Sequence, residues 1–344
     1  MSSQTHIPVV EPNGLVHFLY KGTGQRCGHP RGLRVEDRIG SNVPASTDLW
    51  YLSYKLNPVG RYDYVFQIDM GATVPDALNA HRSPGKENWS ELTMLGWRSV
   101  SLTPTSRGRI AETSFTSAVM EQERDVWVYV PDGYERNRED YPLVIVTGGE
   151  QARDVGKLEE TLNAVSGKDA APAIVALFPY MSGEWHETGG RHRDKVPRMI
   201  AGELIPFLRN TYRVAPGRDQ VAIVGTGSAG FLSLNTAFTF PKSIGRVATL
   251  SARISNSAIA RTLLEKARKA AAHKPLIFME WYEVDRFDPR QDVHVLPDNA
   301  LVASSHRNWG FKVTSREHPA GGGWGSWRND LPGLLAQVMP AISE

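Results

Sequence analysis

From about residue 105 onward, short apolar runs alternate with amphipathic ones, and this alternation limits the architecture more than any other feature of the chain. The segments RDVWVYVPDGY, YPLVIVTGG, AAPAIVALFPY, GRVATLSA and KPLIFMEWYE read as strands. Between and after them, KLEETLNAVSG, RMIAGELIPFLRNTY, AIARTLLEKARKAAAH and LPGLLAQVMPAI carry helical spacing, the first of them stopping at Gly167. Strands that alternate with helices build a mostly parallel sheet covered on both faces. The first hundred residues have a different rhythm. LVHFLYKG, TDLWYLSYKL and RYDYVFQIDM are aromatic and β-branched, with turns at Pro44-Ala45-Ser46 and Asn57-Pro58-Val59-Gly60. They predict a small β-sandwich, followed from Pro84 to about Thr105 by a polar, irregular linker with some order.

Composition excludes several classes. Hydrophobic residues make up 41% and charged residues 22% of 344 positions, ordinary values for a soluble globular protein. The formal net charge of +2 carries no basic stripe of the kind that nucleic acid requires. Cys27 is the one cysteine, so an internal disulfide and a cysteine-based zinc site are both excluded. The start, MSSQTHIPVVEPNG, has neither the basic head nor the apolar core of a signal peptide, and no apolar run reaches membrane-spanning length. A cytoplasmic location is the expectation.

The most informative stretch is VAIVGTGSAGFLSLN, beginning at Val221. An apolar strand, a glycine-rich turn and a helix from about Phe231 form the setting of a nucleophile elbow, G-x-S-x-G. With Gly225 at the first glycine, the nucleophile position falls on Gly227, and Ser228 stands one residue late.

The chain resembles the enterochelin (ferric enterobactin) esterases of the esterase D type. The resemblance rests on ordered pieces along nearly the whole chain. VHFLYKG, TDLWYLSYKLNPVGRYDYVFQID, PDALN and WSELTML match the N-terminal domain. PLVIVTGGEQ, RHRD, ELIPFLRNTYRV, the elbow segment and REHPAGGGWGSWRNDLPGLL match the catalytic one. It implies an α/β-hydrolase domain over residues 105–344, preceded by an all-β, immunoglobulin-like sandwich over residues 1–104. Family members cut catecholate siderophore esters with a serine in G-x-S-x-G-G and a histidine in G-G-H-D-W-x-x-W-R. Anchoring on Trp324, Trp327 and Arg328 places Gly322 at the histidine position, so glycine stands where each catalytic side chain is expected. Gly148-Gly149-Glu150-Gln151 stands where the family has an Asp-Gly pair near the oxyanion region.

Glycine supplies neither a hydroxyl nor a base, and acyl transfer by this route needs both. His318, four residues before Gly322, is expected at a strand end and facing away. The residues left to line a pocket at the C-terminal ends of the strands are Glu150, Gln151, Arg191, Arg193, Gly227, Ser228, Gly322 and Trp324. Arg191 and Arg193 suit carboxylates or catecholate oxygens, or else pair internally with Asp194 or Glu187. His186, Glu187 and Asp285 are the acid/base candidates, with Glu280 and Glu283 near the last. His186, Glu187 and His192 lack the spacing of a helical metal site, and no metal or cofactor is expected. Three readings stay open. One is an enzyme acting on a siderophore-like or nonribosomal-peptide-like metabolite without hydrolysis, by cyclisation, proton transfer or elimination. The second is a binding protein without catalysis, and the third a hydrolase rebuilt around Ser228.

Overall fold

The structure is a computed structural model that describes residues 8–21, 38–42, 49–67, 73–179, 194–254, 257–285 and 295–339. Its contacts divide the chain into two units. One comprises Met1–Val100, Tyr282–Val293 and Glu317–Ser326; the other comprises Ser101–Trp281, His294–Arg316 and Trp327–Glu344.

The described residues of the first unit up to Val100 form strands and turns only. Strands β1 (Val9–Val10), β2 (Leu15–Lys21), β3 (Arg38–Asn42) and β4 (Leu49–Lys55) form an antiparallel sheet in the order β1-β2-β4-β3. Strands β5 (Arg61–Tyr64), β6 (Phe66–Gln67), β7 (Thr73–Val74), β8 (Arg82–Ser83) and β9 (Lys86–Thr93) add a β5-β9-β8 sheet and a β6-β7 ribbon. Side chains alternate across a strand, so Val16, Phe18, Leu52 and Tyr54 enter one core with Tyr62, Tyr64, Phe66, Leu92 and Met94. The Tyr64 hydroxyl in this core donates to Asp76 at 2.7 Å and accepts from Asn79 at 3.0 Å, which satisfies a polar group that burial would otherwise penalise. These sheets fit the sandwich expected from sequence. The linker holds only in its second half, residues 94–105, which carry neither helix nor strand: its charged residues Lys86, Glu87 and Glu91 lie in β9, which pairs β5 and β8. Alternation of a polar face there hid a strand that buries Ser90 and Leu92.

The second unit begins with the antiparallel hairpin β10 (Arg109–Ser117) and β11 (Gln122–Val130). The chain then alternates strands and helices: β12 (Leu143–Thr147), α1 (Gly149–Asp154), α2 (Leu158–Val165), β13 (Ile174–Phe178), α3 (Lys195–Met199), α4 (Ile205–Thr211), β14 (Val221–Thr226), α5 (Gly227–Thr239), β15 (Arg246–Leu250), α6 (Ser257–Lys269), β16 (Leu276–Val284), α7 (Val295–Asn308), β17 (Val313–Gly321) and α8 (Trp324–Val338); of these, α1, α7 and β17 are not among the elements read from the sequence. A single π turn, Ile200–Leu204, joins α3 to α4. The eight strands from β10 onward lie in the order β10-β11-β13-β12-β14-β15-β16-β17, with parallel registers from β13 through β16. The last residues of β16 and β17 belong to the first unit.

Every residue of β12 and β13 is buried, which explains their unbroken apolar runs: a central parallel strand is covered on both faces. Leu143, Ile145, Ile174, Leu177 and Ile223 are fully buried, each burial stabilising by about 1.5–3 kcal/mol. Helix α5 is buried on nearly all sides, so its sequence is apolar all round and shows little amphipathic signal. It starts at Gly227, four residues earlier than the apolar pattern suggests. Helix α8 starts at Trp324 and carries Pro332 inside it, whereas the sequence pattern placed its start near that proline. No helix among the described residues is long and apolar enough to cross a membrane.

Candidate active site

The turn from β14 into α5 has no loop. Thr226 is extended, with φ −117° and ψ 145°, and Gly227 is already the first helical residue. Reversing direction in one step requires a left-handed residue, and Gly227 has φ +55°. Two features hold this turn tight. A Cβ on Gly225 would lie 2.4 Å from the Ala229 carbonyl oxygen and 2.6 Å from Ser233 Oγ, so only glycine fits. The buried Thr147 hydroxyl, from the neighbouring strand β12, lies 3.0 Å from Ala229 O and 2.9 Å from Ser233 Oγ. The Gly227 carbonyl accepts from Arg253 N at 2.8 Å. Ser228 is the second residue of α5 and half-buried; it belongs to the helix and not to the turn.

Other predicted residues of this unit gather beside the elbow. Gly148 caps α1 in a left-handed conformation, and a Cβ there would come within 3.3 Å of Ala229 Cβ. This places Glu150, half-buried, and Gln151, exposed, in the first turn of a helix that begins beside the elbow. Sequence reasoning missed Ser251. It lies at the end of β15, is fully buried and has φ +54°, rare for a residue with a side chain. Its N–H donates to Glu280 O at 2.7 Å, and its hydroxyl accepts from Trp327 Nε1 at 3.0 Å. Trp327 therefore holds the loop after β15, which carries Arg253 onto the elbow. The signal in sequence is slight: a serine closing an apolar strand.

The glycine run Gly321–Gly325 belongs to the first unit, and its composition follows from a buried cation. Arg61 is only 1% exposed. Its Nη2 lies 2.6 Å from Glu91 Oε2 and 2.5 Å from Asp63 Oδ1, and Lys86 Nζ lies 3.5 Å from Asp63 Oδ2. A Cβ on Gly325 would fall 2.0 Å from the Arg61 guanidinium carbon, and one on Gly323 would fall 2.8 Å from Asp63 Oδ2. Arg61 and Asp63 thus account for the glycines on either side of Trp324, which is 6% exposed. Gly322 donates its N–H to Val284 O at 3.0 Å.

Of the acid/base candidates, Asp285 follows β16 directly and is 6% exposed, while Glu280 and Glu283 lie within that strand instead of after it. His318 is inside β17, buried and stacked on Tyr282 with ring centroids 4.8 Å apart. Asp194, weighed as a partner for Arg191 and Arg193, accepts from Lys266 Nζ at 3.1 Å. His186, Glu187, Arg191, His192 and Arg193 lie outside the described residues.

A model of the Esterase family matches residues 117–338, from the first strands of the large sheet through α8. The chain belongs to the Esterase family. Among solved structures, this Esterase-family chain is similar to the enterobactin esterase of Shigella flexneri, crystallised in the presence of enterobactin. The two are 17% identical, the match covers 94% of this chain and 92% of the other, and the TM-score is 0.69. The ferric enterobactin esterase of Salmonella typhimurium is 17% identical over 96% of this chain and 95% of its own, with the same TM-score of 0.69. A ferulic acid esterase covers 68% of this chain and 99% of its own, with 18% identity and a TM-score of 0.56. At such identities the likeness shows the fold, an α/β-hydrolase with an all-β N-terminal part. The Bacillus subtilis protein YjcH is 25% identical over 149 residues; the match covers 41% of this chain and 60% of that curated relative's length.

Proposed function

We propose that this Esterase-family chain takes a siderophore-like or nonribosomal-peptide-like metabolite and acts on it without a serine-bound intermediate, by cyclisation, proton transfer or elimination. The observation that carries this reading is Gly227. The elbow keeps the left-handed turn that presents a nucleophile in α/β-hydrolases, yet the residue in that position has no side chain. Ser228 cannot take its place without rebuilding the turn, because it is fixed in the first turn of α5. The enterobactin esterases, similar over nearly the whole chain, support a ligand of catecholate type. Arg191 and Arg193 are its charged anchors, and His186, Glu187 and Asp285 are the acid/base groups. Carboxylates and imidazoles suffice for proton transfers and eliminations, which need no covalent step.

Binding and turnover of catechol siderophores and their linear precursors, measured on the same protein, test this. Arg191→Ala and Arg193→Ala should each weaken binding about ten- to a hundredfold, the worth of a charge-assisted contact. His186→Gln, Glu187→Gln or Asp285→Asn should abolish product with a much smaller change in binding, since such groups act in the transition state. Steady hydrolysis of a catechol siderophore by the unaltered chain would overturn the reading. Binding without turnover of any panel member would leave a binding protein in its place.

A further inference from the structure

The first unit contains a hydrogen-bonded chain of side chains that the reading above does not use. His17 on β2 and Ser53 on β4 are direct cross-strand partners, on the face opposite the core residues Val16, Phe18, Leu52 and Tyr54. His17 Nδ1 lies 2.8 Å from Ser53 Oγ, and His17 Nε2 lies 2.9 Å from Glu11 Oε1. Glu11 sits in the tight turn between β1 and β2, where its N–H donates to Leu15 O and its carbonyl accepts from Gly14 N. Asn13 Nδ2 donates to the second carboxylate oxygen at 3.3 Å. With a neutral imidazole, chemistry fixes the direction of this chain. An ionised carboxylate only accepts, so Nε2 of the imidazole carries the proton that faces Glu11. In the neutral ring Nδ1 is then a bare lone pair, and Ser53 must donate to it. The serine hydroxyl is polarised by a base that a carboxylate orients, the arrangement that activates a hydroxyl for attack.

We propose that Ser53, His17 and Glu11 form a second, independent nucleophile site whose substrates are small activated esters. Ser53 is 7% exposed, and the residue paired with it on its other side, on β3, is Gly40, which carries no side chain. The same face presents Leu15, Leu19 and Tyr51, all half-buried, and the exposed Lys55, whose ammonium donates to Asn13 O, so an apolar acyl or aryl group has side chains to pack on there. Ser53 Oγ attacks the acyl carbon as its proton passes to Nδ1 of His17. The carbon–oxygen bond to the leaving group breaks, and the leaving oxygen takes that proton. A water then gives a proton to Nδ1 and attacks the acyl–Ser53 ester, releasing the acid while the proton returns to Oγ. Glu11 and Asn13 are positioning residues: they fix the tautomer and touch no substrate.

The test is a fluorophosphonate probe on the full chain, read by intact mass and peptide mapping. The Oγ–phosphorus bond forms, fluoride leaves, and His17 takes the proton. The expected result is one adduct, on the peptide carrying Ser53, absent in Ser53→Ala and formed about a hundredfold more slowly in His17→Gln, the typical contribution of a general base. Glu11→Gln should slow labelling and Glu11→Asp should restore most of it, whereas a purely structural role for Glu11 would change the thermal midpoint and not the labelling rate. Ser53→Cys covers the case in which Ser53→Ala fails to fold: its alkylation by iodoacetamide should be faster than in Ser53→Cys/His17→Gln, with Cys27 counted separately by peptide. No adduct, an adduct on another serine, or labelling of His17→Gln at the unaltered rate would overturn the proposal. The elbow peptide carrying Ser228 is distinct in the same map, so the outcome does not depend on the reading of Gly227.

Discussion

Gly227→Ser puts a hydroxyl at the elbow and tests whether the turn is built to hold one. The backbone at this position has φ +55°. An L-residue in the left-handed region costs about 1–2 kcal/mol relative to glycine. Replacing glycine also removes freedom from the unfolded chain, which stabilises by roughly 0.4–1 kcal/mol. The difference is a loss of about 0–1.6 kcal/mol, and at roughly 2–4 °C per kcal/mol for a domain of this size the thermal midpoint should fall by less than about 6 °C. Scanning calorimetry measures that. The introduced hydroxyl should react with fluorophosphonate slowly, because a hydroxyl without an oriented base lacks about a hundredfold or more in rate. Two results refute the reasoning. A fall of more than about 10 °C means that Gly227 is there because nothing larger fits, not because a nucleophile was given up. Rapid stoichiometric labelling of the Gly227→Ser variant at the substituted position means that a base is already in place and that the chain lacks only the hydroxyl.

Three other substitutions separate the forces at work. Gly225→Ala should cost more than Gly227→Ser, at least about 1–3 kcal/mol by urea denaturation, because its Cβ meets the Ala229 carbonyl oxygen at 2.4 Å and that oxygen is held by Thr147. Arg61→Met should cost about 3–5 kcal/mol, since it leaves the carboxylates of Asp63 and Glu91 without their buried cation; Arg61→Met/Asp63→Asn should recover part of it. His306 is fully buried, stacked on Phe238 at 4.8 Å with its Nδ1–H donated to Val302 O, and burial holds its pKa below the ordinary 6.5. The unfolded chain therefore takes up a proton at a pH where the folded one does not, so stability is present above about 6.5 and falls as pH drops toward the folded pKa. His306→Phe should flatten the dependence of the urea midpoint on pH between about 7 and 5, and an unchanged slope would assign that dependence to other groups.

Much of the large sheet is written locally. The runs Leu143–Val146, Ile174–Phe178 and Val221–Val224 are apolar throughout because central parallel strands are covered on both faces, and that property needs no knowledge of their partners. Gly227 at the elbow was legible for the same reason: a strand that enters a helix without a loop needs a left-handed residue at a known offset from the preceding glycine. Strand β9 was not legible, because its polar, charged sequence is a strand only through its pairing with β5 and β8. Nor was Arg61, an arginine in a strand that becomes a buried cation only when Asp63, Glu91 and the glycines at 323 and 325 close around it. Ser53 and His17 lie 36 residues apart, and the register between β2 and β4 makes them neighbours. A slip of one residue between the two strands would put their side chains on opposite faces of the sheet. Periodicity and turn chemistry act over a few residues and are present in the sequence itself. Register, burial of charge and the meeting of side chains from distant strands depend on how the sheets close, and only the tertiary structure decides them.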